Sequence, residues 1–231
     1  MKCFLSLMAV CLAASLLDTG VRAADPASTP ATRPAAALTP EQSADLLKGV
    51  RAKMETAKTV QGEFVQEKNL SMLKHTLIIK GHFAVERPRR LVWHVVEPVK
   101  YSIRVENEDV QFWDEDTNRV DSIHIGANHS FRAAFEQFQG WFLGNYATLE
   151  QSYDVTVQSV EPLVVSFQPK AGSPMAQMIK RVEVTFQADH LYLASLVIQE
   201  GGGDTTTIRF DNIQINKPVP DRAWEIPPQG K

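Results

Sequence analysis

The sequence predicts a mostly β domain with a little α, built on a strongly curved antiparallel sheet of about eleven strands. Three observations predict it. Apolar residues recur at every second position through most of the chain between Val60 and Ile215, the period that sends side chains to alternate faces of a strand. The runs are separated by a few turn-forming residues, which is room for hairpins but not for the crossovers of a parallel sheet. Only two stretches carry helical spacing, too few to fill a barrel of that size. They are expected against the concave face, and a leftover apolar cavity is the consequence.

Taken in order, residues 1–23 of the 231 read as a secretory signal peptide. Lys2 gives the positive start, Phe4 to Leu17 an apolar run too short to span a bilayer, and Val21-Arg22-Ala23 a small-residue cleavage site. Val10 stands before Cys11 where a lipoprotein signal needs a small residue. Both cysteines, Cys3 and Cys11, fall in this segment, so the mature chain is expected to hold no disulfide, thiolate nucleophile or cysteine metal site. Residues 24–38, with Pro26, Pro30 and Pro34, read as a disordered tether, and residues 39–231 as one domain. A net charge of −3 is no footprint for nucleic acid or an anionic membrane, and no second long apolar run follows.

Thr39-Pro40-Glu41-Gln42 starts the first helix: Thr39 as N-cap, Pro40 at the first helical position, Gln42 closing a capping box. Leu46, Leu47, Val50 and Met54 make its apolar stripe. Strands are then expected at Val60 to Gln66, Thr76 to Glu86, Arg90 to Val96, Tyr101 to Glu106, Val110 to Asp114 and Val120 to Ile125, joined by turns such as Asn107-Glu108-Asp109. Phe131, Phe135, Phe138 and Phe142 fall at helical spacing, beside Trp141, in a segment that Gly144 and Asn145 close. More strands follow at Tyr153 to Gln158, Leu163 to Gln168, Met178 to Gln187, Leu191 to Gln199 and Thr205 to Ile215.

The hairpin from Gly81 to Pro98 organises the rest. Phe83 and Val85 precede its basic turn and Leu91, Trp93 and Val95 follow it, all on one face, while Pro88 breaks the ladder. Arg87 shares the parity of Phe83 and Val85. A guanidinium buried without acceptors is expensive, and on the residues alone a strand-end arginine snorkels to water.

No catalytic pattern is found: no G-x-S-x-G elbow, no H-E-x-x-H, no glycine-rich phosphate loop. Asp114-Glu115-Asp116-Thr117-Asn118 begins like a calcium loop, but Arg119 stands in place of its glycine and Ile125 in place of its last carboxylate. With the turn centred on Pro88, His82 and His94 face each other on the outer side. No third ligand accompanies them, and they read as exposed polar residues. Neither a metal nor a cofactor is expected, and the chain reads as a binding protein rather than an enzyme.

From about Thr39 to Gly230 the chain resembles the periplasmic outer-membrane lipoprotein carrier family, LolA and its relatives. The resemblance lies in Val60, Phe64 and Gln66 after the first helix, then Gly81-x-Phe83, Arg87-Pro88, Trp93 and Glu97-Pro98. Gly203-x-Thr205-x-x-Ile208-x-Phe210 and Pro227-Pro228-x-Gly230 complete it. It implies an incomplete β-barrel lidded by helices around a cavity for acyl chains. It implies as partners acylated lipoproteins, or another lipid, an inner-membrane release complex and an outer-membrane acceptor, with the carrier a monomer in the periplasm. The arginine before proline, Arg87, is then an inward gate that holds the lid. The expected cavity wall takes Phe64 from the first strand, Phe83 and Val85 before the turn, and Leu91 and Trp93 after it. Tyr101, Ile103 and Phe112 continue it, and Phe135 and Phe138 face it from the helical stripe. Leu91 stands where the family carries a bulky aromatic, and Gly140 to Asn145 with Tyr153 resembles a divergent branch. A carrier of another lipid or glycolipid, or an envelope-stress sensor on the same fold, therefore stays open.

Overall fold

The period-two runs all form strands, and all hydrogen-bond into one sheet. The computed structural model describes residues 33–34, 38–125, 140–142 and 146–226. The expected signal peptide, Phe131, Phe135, Phe138, Gly144, Asn145 and the Pro227-Pro228 motif lie outside the described residues.

In chain order the elements are β1 (Arg33–Pro34), α1 (Pro40–Thr56), β2 (Thr59–Asn69), β3 (Leu77–Glu86), β4 (Arg90–Glu97), β5 (Tyr101–Glu106), β6 (Asp109–Asp114) and β7 (Val120–His124). Then come α2 (Tyr146–Ser152), β8 (Tyr153–Glu161), β9 (Leu163–Pro169), β10 (Ile179–Phe186), β11 (Leu193–Glu200) and β12 (Thr205–Ile215). The sheet order is β1-β8-β9-β10-β11-β12-β2-β3-β4-β5-β6-β7, antiparallel throughout. Two pairings depart from a simple meander: β1 joins β8, and β12 returns to pair with β2. β1 and β7 end the order without pairing to each other, so the barrel stays open.

Eleven of these strands match the expected runs within three residues at either end. The two-residue β1 lies in the stretch read as a tether, where Arg33 and Pro34 pair with Glu161 and Ser159. α1 begins as its sequence dictates: the Thr39 hydroxyl accepts from the Gln42 N–H and the Gln42 side chain accepts from the Thr39 N–H. Its Val50 and Met54 are buried, and Leu46 and Leu47 pack at the margin. α2 was not legible as a separate helix; Leu149 is its buried residue.

The sheet is bent, and side chains show it. β4 and β12 are three strands apart, about 14 Å on a flat sheet. Yet the Trp93 and Phe210 rings lie 6.4 Å apart and those of Phe83 and Tyr192, the residue before β11, 5.7 Å apart. The inner faces of β2 to β6 and β8 to β12 thus converge on a single apolar cluster, which α1 joins.

The outer face is covered by the end of the chain. A 3₁₀ turn at Asp221–Trp224 seats Trp224, 3% exposed, on Ala84 and Val92. Arg90 stacks 4.2 Å over the Trp224 ring and Arg104 donates to the Trp224 carbonyl. This corrects the reading of His94 as an exposed polar residue. It is 7% exposed, because Ala223 lies over it. A carbonyl can only accept, so Nε2 of His94 donates to Ala223 O at 3.0 Å and Nδ1 accepts from the Ser102 hydroxyl at 2.8 Å. His82 is paired with His94 as expected, ring centroids 4.8 Å apart, and is exposed.

Loss of water lowers the pKa of both histidines, fully around His94 and on the inward side of the exposed His82; the charge of His94 depresses His82 further and Glu63 opposes it, while the Ala223 bond works the other way on His94. Groups depressed in the folded state bind protons more readily unfolded. Their contribution is complete above about pH 6.5 and is lost as pH falls below it. The melting temperature is therefore expected to fall between pH 7.5 and 5.5. In a His82→Gln/His94→Gln double variant, thermal melts at the same two pH values should show a smaller fall.

Candidate functional site

The concave face is the candidate site, and its centre depends on a missing side chain. Phe64 on β2, Gly81 on β3 and Val95 on β4 are cross-strand neighbours on the same face. With no Cβ at Gly81, Phe64 leans across β3 and stacks on Trp93 of β4, ring centroids 3.8 Å apart and planes 25° apart. An added Cβ at Gly81 would stand 2.5 Å from Cζ of Phe64 and 2.0 Å from the His94 carbonyl oxygen.

Around this stack the aromatic rings meet edge to face. Phe83 packs on Phe210 at 5.4 Å, and Phe142 on Trp93 at 5.5 Å and on Phe210 at 6.0 Å. Phe142 is the one residue of the expected phenylalanine stripe within the described residues, and it covers this face. Its neighbour Trp141 packs edge-on against Phe167, 4.7 Å away, and against Tyr153. Of the expected wall, Phe64, Phe83, Val85, Leu91, Trp93 and Ile103 are buried in this one cluster. Tyr101 and Phe112 lie at its margin, partly buried. Burial pushes the Tyr101 hydroxyl far above the ordinary phenol range, so it is a neutral donor and not a base.

The apolar strip ends in a polar group at each end. At the hairpin end, Arg87 follows β3 and its N–H donates to the Lys58 carbonyl at 2.9 Å. Nε and Nη2 of Arg87 are withdrawn from solvent. Its charge acts on the wholly buried Tyr192, opposing in part the rise that burial imposes on that hydroxyl.

At the opposite rim the sequence reading missed three residues. Gln66 and Lys68 on β2 and Thr206 on β12 are each at most 1% exposed, and all sit on the inner face with Phe64. The signal was present in the alternation Phe64-x-Gln66-x-Lys68, which gives all three residues one parity. Burial pulls the Lys68 amine down to about 8, with Glu200 acting in the other direction. Burial and the neighbouring Asp204 push the Glu200 carboxyl up, while Lys68 opposes them.

A second concavity lies outside the sheet, a pocket of about 220 Å³ under the C-terminal turn, bordered by Glu63, His82, Asn212 and Ala223. Asn212 there donates to Glu63 at 2.7 Å.

The family model described as "Outer membrane lipoprotein carrier protein LolA" matches residues 55–227. An outer-membrane lipoprotein carrier protein of Ralstonia nicotianae is 25% identical over 193 residues, 81% of this chain and 86% of that protein. One from Alkalilimnicola ehrlichii is 24% identical over 180 residues, 74% of this chain and 75% of its own length. Among solved structures, the MucA/MucB complex of Pseudomonas aeruginosa superposes with a TM-score of 0.48 at 12% identity, over 79% of this chain and 60% of that one. A LolA superfamily protein from Nitrosomonas europaea does so with 0.40 at 7% identity, over 78% and 97%. These two structural likenesses carry no functional argument.

The gap at Gly81 can be tested on this chain alone. Gly81→Ala forces a Cβ against backbone and ring and should cost about 3 kcal/mol in urea unfolding, with altered Trp93 fluorescence. Gly202→Ala, where nothing lies within 4 Å of the added carbon, should change stability by less than about 0.5 kcal/mol.

Proposed function

The chain belongs to the family of outer membrane lipoprotein carrier proteins, LolA, and from that membership we propose a periplasmic carrier that shelters acyl chains on its concave face. The supporting observation is the continuous aromatic and aliphatic lining that β2 to β6 and β12 bring together around the Phe64–Trp93 stack. The need is physical. At about 0.8 kcal/mol per methylene, a sixteen-carbon chain costs roughly 12 kcal/mol to expose to water, so an acylated protein does not cross an aqueous gap unaided. A carrier must offset that cost without holding its cargo irreversibly. Side chains stacked on one another in the empty state serve this end, because ring contacts broken on loading are regained on release.

In this reading Phe64, Phe83, Val85, Leu91, Trp93, Tyr101, Ile103 and Phe112 contact the chain, and Phe135 and Phe138 approach it from the helical side. Arg87 is the gate: a charge at the end of an apolar strip disfavours deep, permanent occupancy there. Cargo arrives from a release complex at the inner membrane and leaves to an acceptor at the outer membrane, the carrier acting as a monomer. The protein binds and hands on; it does no chemistry.

The direct test is displacement of a neutral fluorescent apolar probe from the purified mature protein. Saturable binding near one to one, reversed by sixteen-carbon chains, is expected; no saturable binding removes the carrier reading. Arg87→Met should slow probe release about tenfold, equivalent to about 1.4 kcal/mol, in stopped-flow measurements. Unchanged release would take Arg87 out of the gate.

A further inference from the structure

Lys68 is a charge in a place where an acyl-chain carrier has no evident use for one. It is 1% exposed, one residue from the rim end of β2, and it shares the inner face with Gln66 and Phe64. Thr206 and Leu77 are its cross-strand partners, so a polar and an apolar side chain flank it. Among the described residues no carboxylate lies within ion-pair distance of its amine; Glu200, at the end of β11, acts on it only at longer range. Removing an ammonium from water without a close counter-ion is costly, and an oxyanion placed against it would offset that cost.

We infer that Lys68, with Gln66 and Thr206 beside it, forms a headgroup subsite for an anionic amphiphile, whose oxyanion sits at the ammonium and whose chain runs along the apolar strip. This rests on the carrier reading above, with an anionic amphiphile in place of a neutral lipoprotein anchor as the cargo of the same face. The strip has the right direction and length. Phe64 is four residues from Lys68 along β2, about 13 Å, and Val60 eight residues, about 26 Å, enough for an extended sixteen-carbon chain. The amine remains mostly protonated at neutral pH, as an oxyanion site requires. An ester- and amide-linked lipid anchor carries no charge to satisfy it. A fatty carboxylate does, and so does a lipid phosphate, and both present the same chemistry to a lysine.

The experiment compares hexadecanoic acid, its methyl ester and hexadecyl phosphate as displacers of a neutral apolar probe, on the mature protein and on Lys68→Met and Lys68→Arg. The charged ligands should displace about tenfold better than the ester on the parent protein. That advantage should vanish in Lys68→Met, with ester affinity kept, and survive in Lys68→Arg. An advantage for the acid alone identifies a carboxylate site, for the phosphate alone a phosphate headgroup, and for both an oxyanion site indifferent to source. Equal displacement by ester and charged ligands, or an advantage that persists in Lys68→Met, overturns the subsite and leaves the carrier reading standing. If neither ester nor charged ligand displaces the probe, the carrier reading fails and the subsite falls with it. Retained ester binding in Lys68→Met shows that the variant is folded.

Discussion

A ring stacked across a glycine holds the inner face together. Phe64 reaches Trp93 only because β3 offers no side chain at Gly81, and the Phe83, Phe142 and Phe210 rings arrange themselves around that pair. The stack joins β2 to β4 over the top of β3, which favours a bent sheet over a flat one. Bending in turn brings β12 and the Tyr192 corner within ring contact of β3. Curvature, core and candidate binding face are consequences of one arrangement.

The two faces of this sheet solve different problems. The inner face is apolar along its length and polar at its ends, with Arg87 near Tyr192 at one end and Lys68 beside Thr206 at the other. The outer face would leave Ala84 and Val92 in water if the chain did not return to cover them with Trp224. Two arginines, on β4 and β5, grip that tryptophan, by stacking and by a hydrogen bond to its carbonyl. His94 adds a bond to the neighbouring carbonyl. The turn covers Ala84, Val92 and His94 on the outside of the hairpin, and the inside of the same hairpin faces the concave side.

Much of this was legible in residue order because the governing signals are local. Thr39 and Gln42 announce their own capping box, and the run from Tyr101 to Glu106 forms a strand with those bounds because its period and its flanking turns agree. Centring the hairpin on Pro88 set the pairing of His82 with His94. Residues whose surroundings come from far along the chain were harder to read. His94 is buried by Ala223, 129 positions away, and no local pattern announces that. Lys68 could be placed on the inner face by parity, but its withdrawal from water follows from sheet curvature, and curvature follows from contacts such as Trp93 with Phe210. α2 is too short for helical periodicity to separate it from the stripe before it. Arg87 was ambiguous on local signals, since its parity matches Phe83 and Val85 while its place at a strand end points to solvent.

Occupancy of the concave face in the cell decides whether this protein is a carrier. Native mass spectrometry with lipid extraction, on protein purified gently from the periplasm, measures this directly. A co-purifying acylated molecule in about one-to-one ratio is expected, lost when the inner strip is made polar. Protein that emerges empty, and stays empty when offered acyl chains, would contradict the carrier reading.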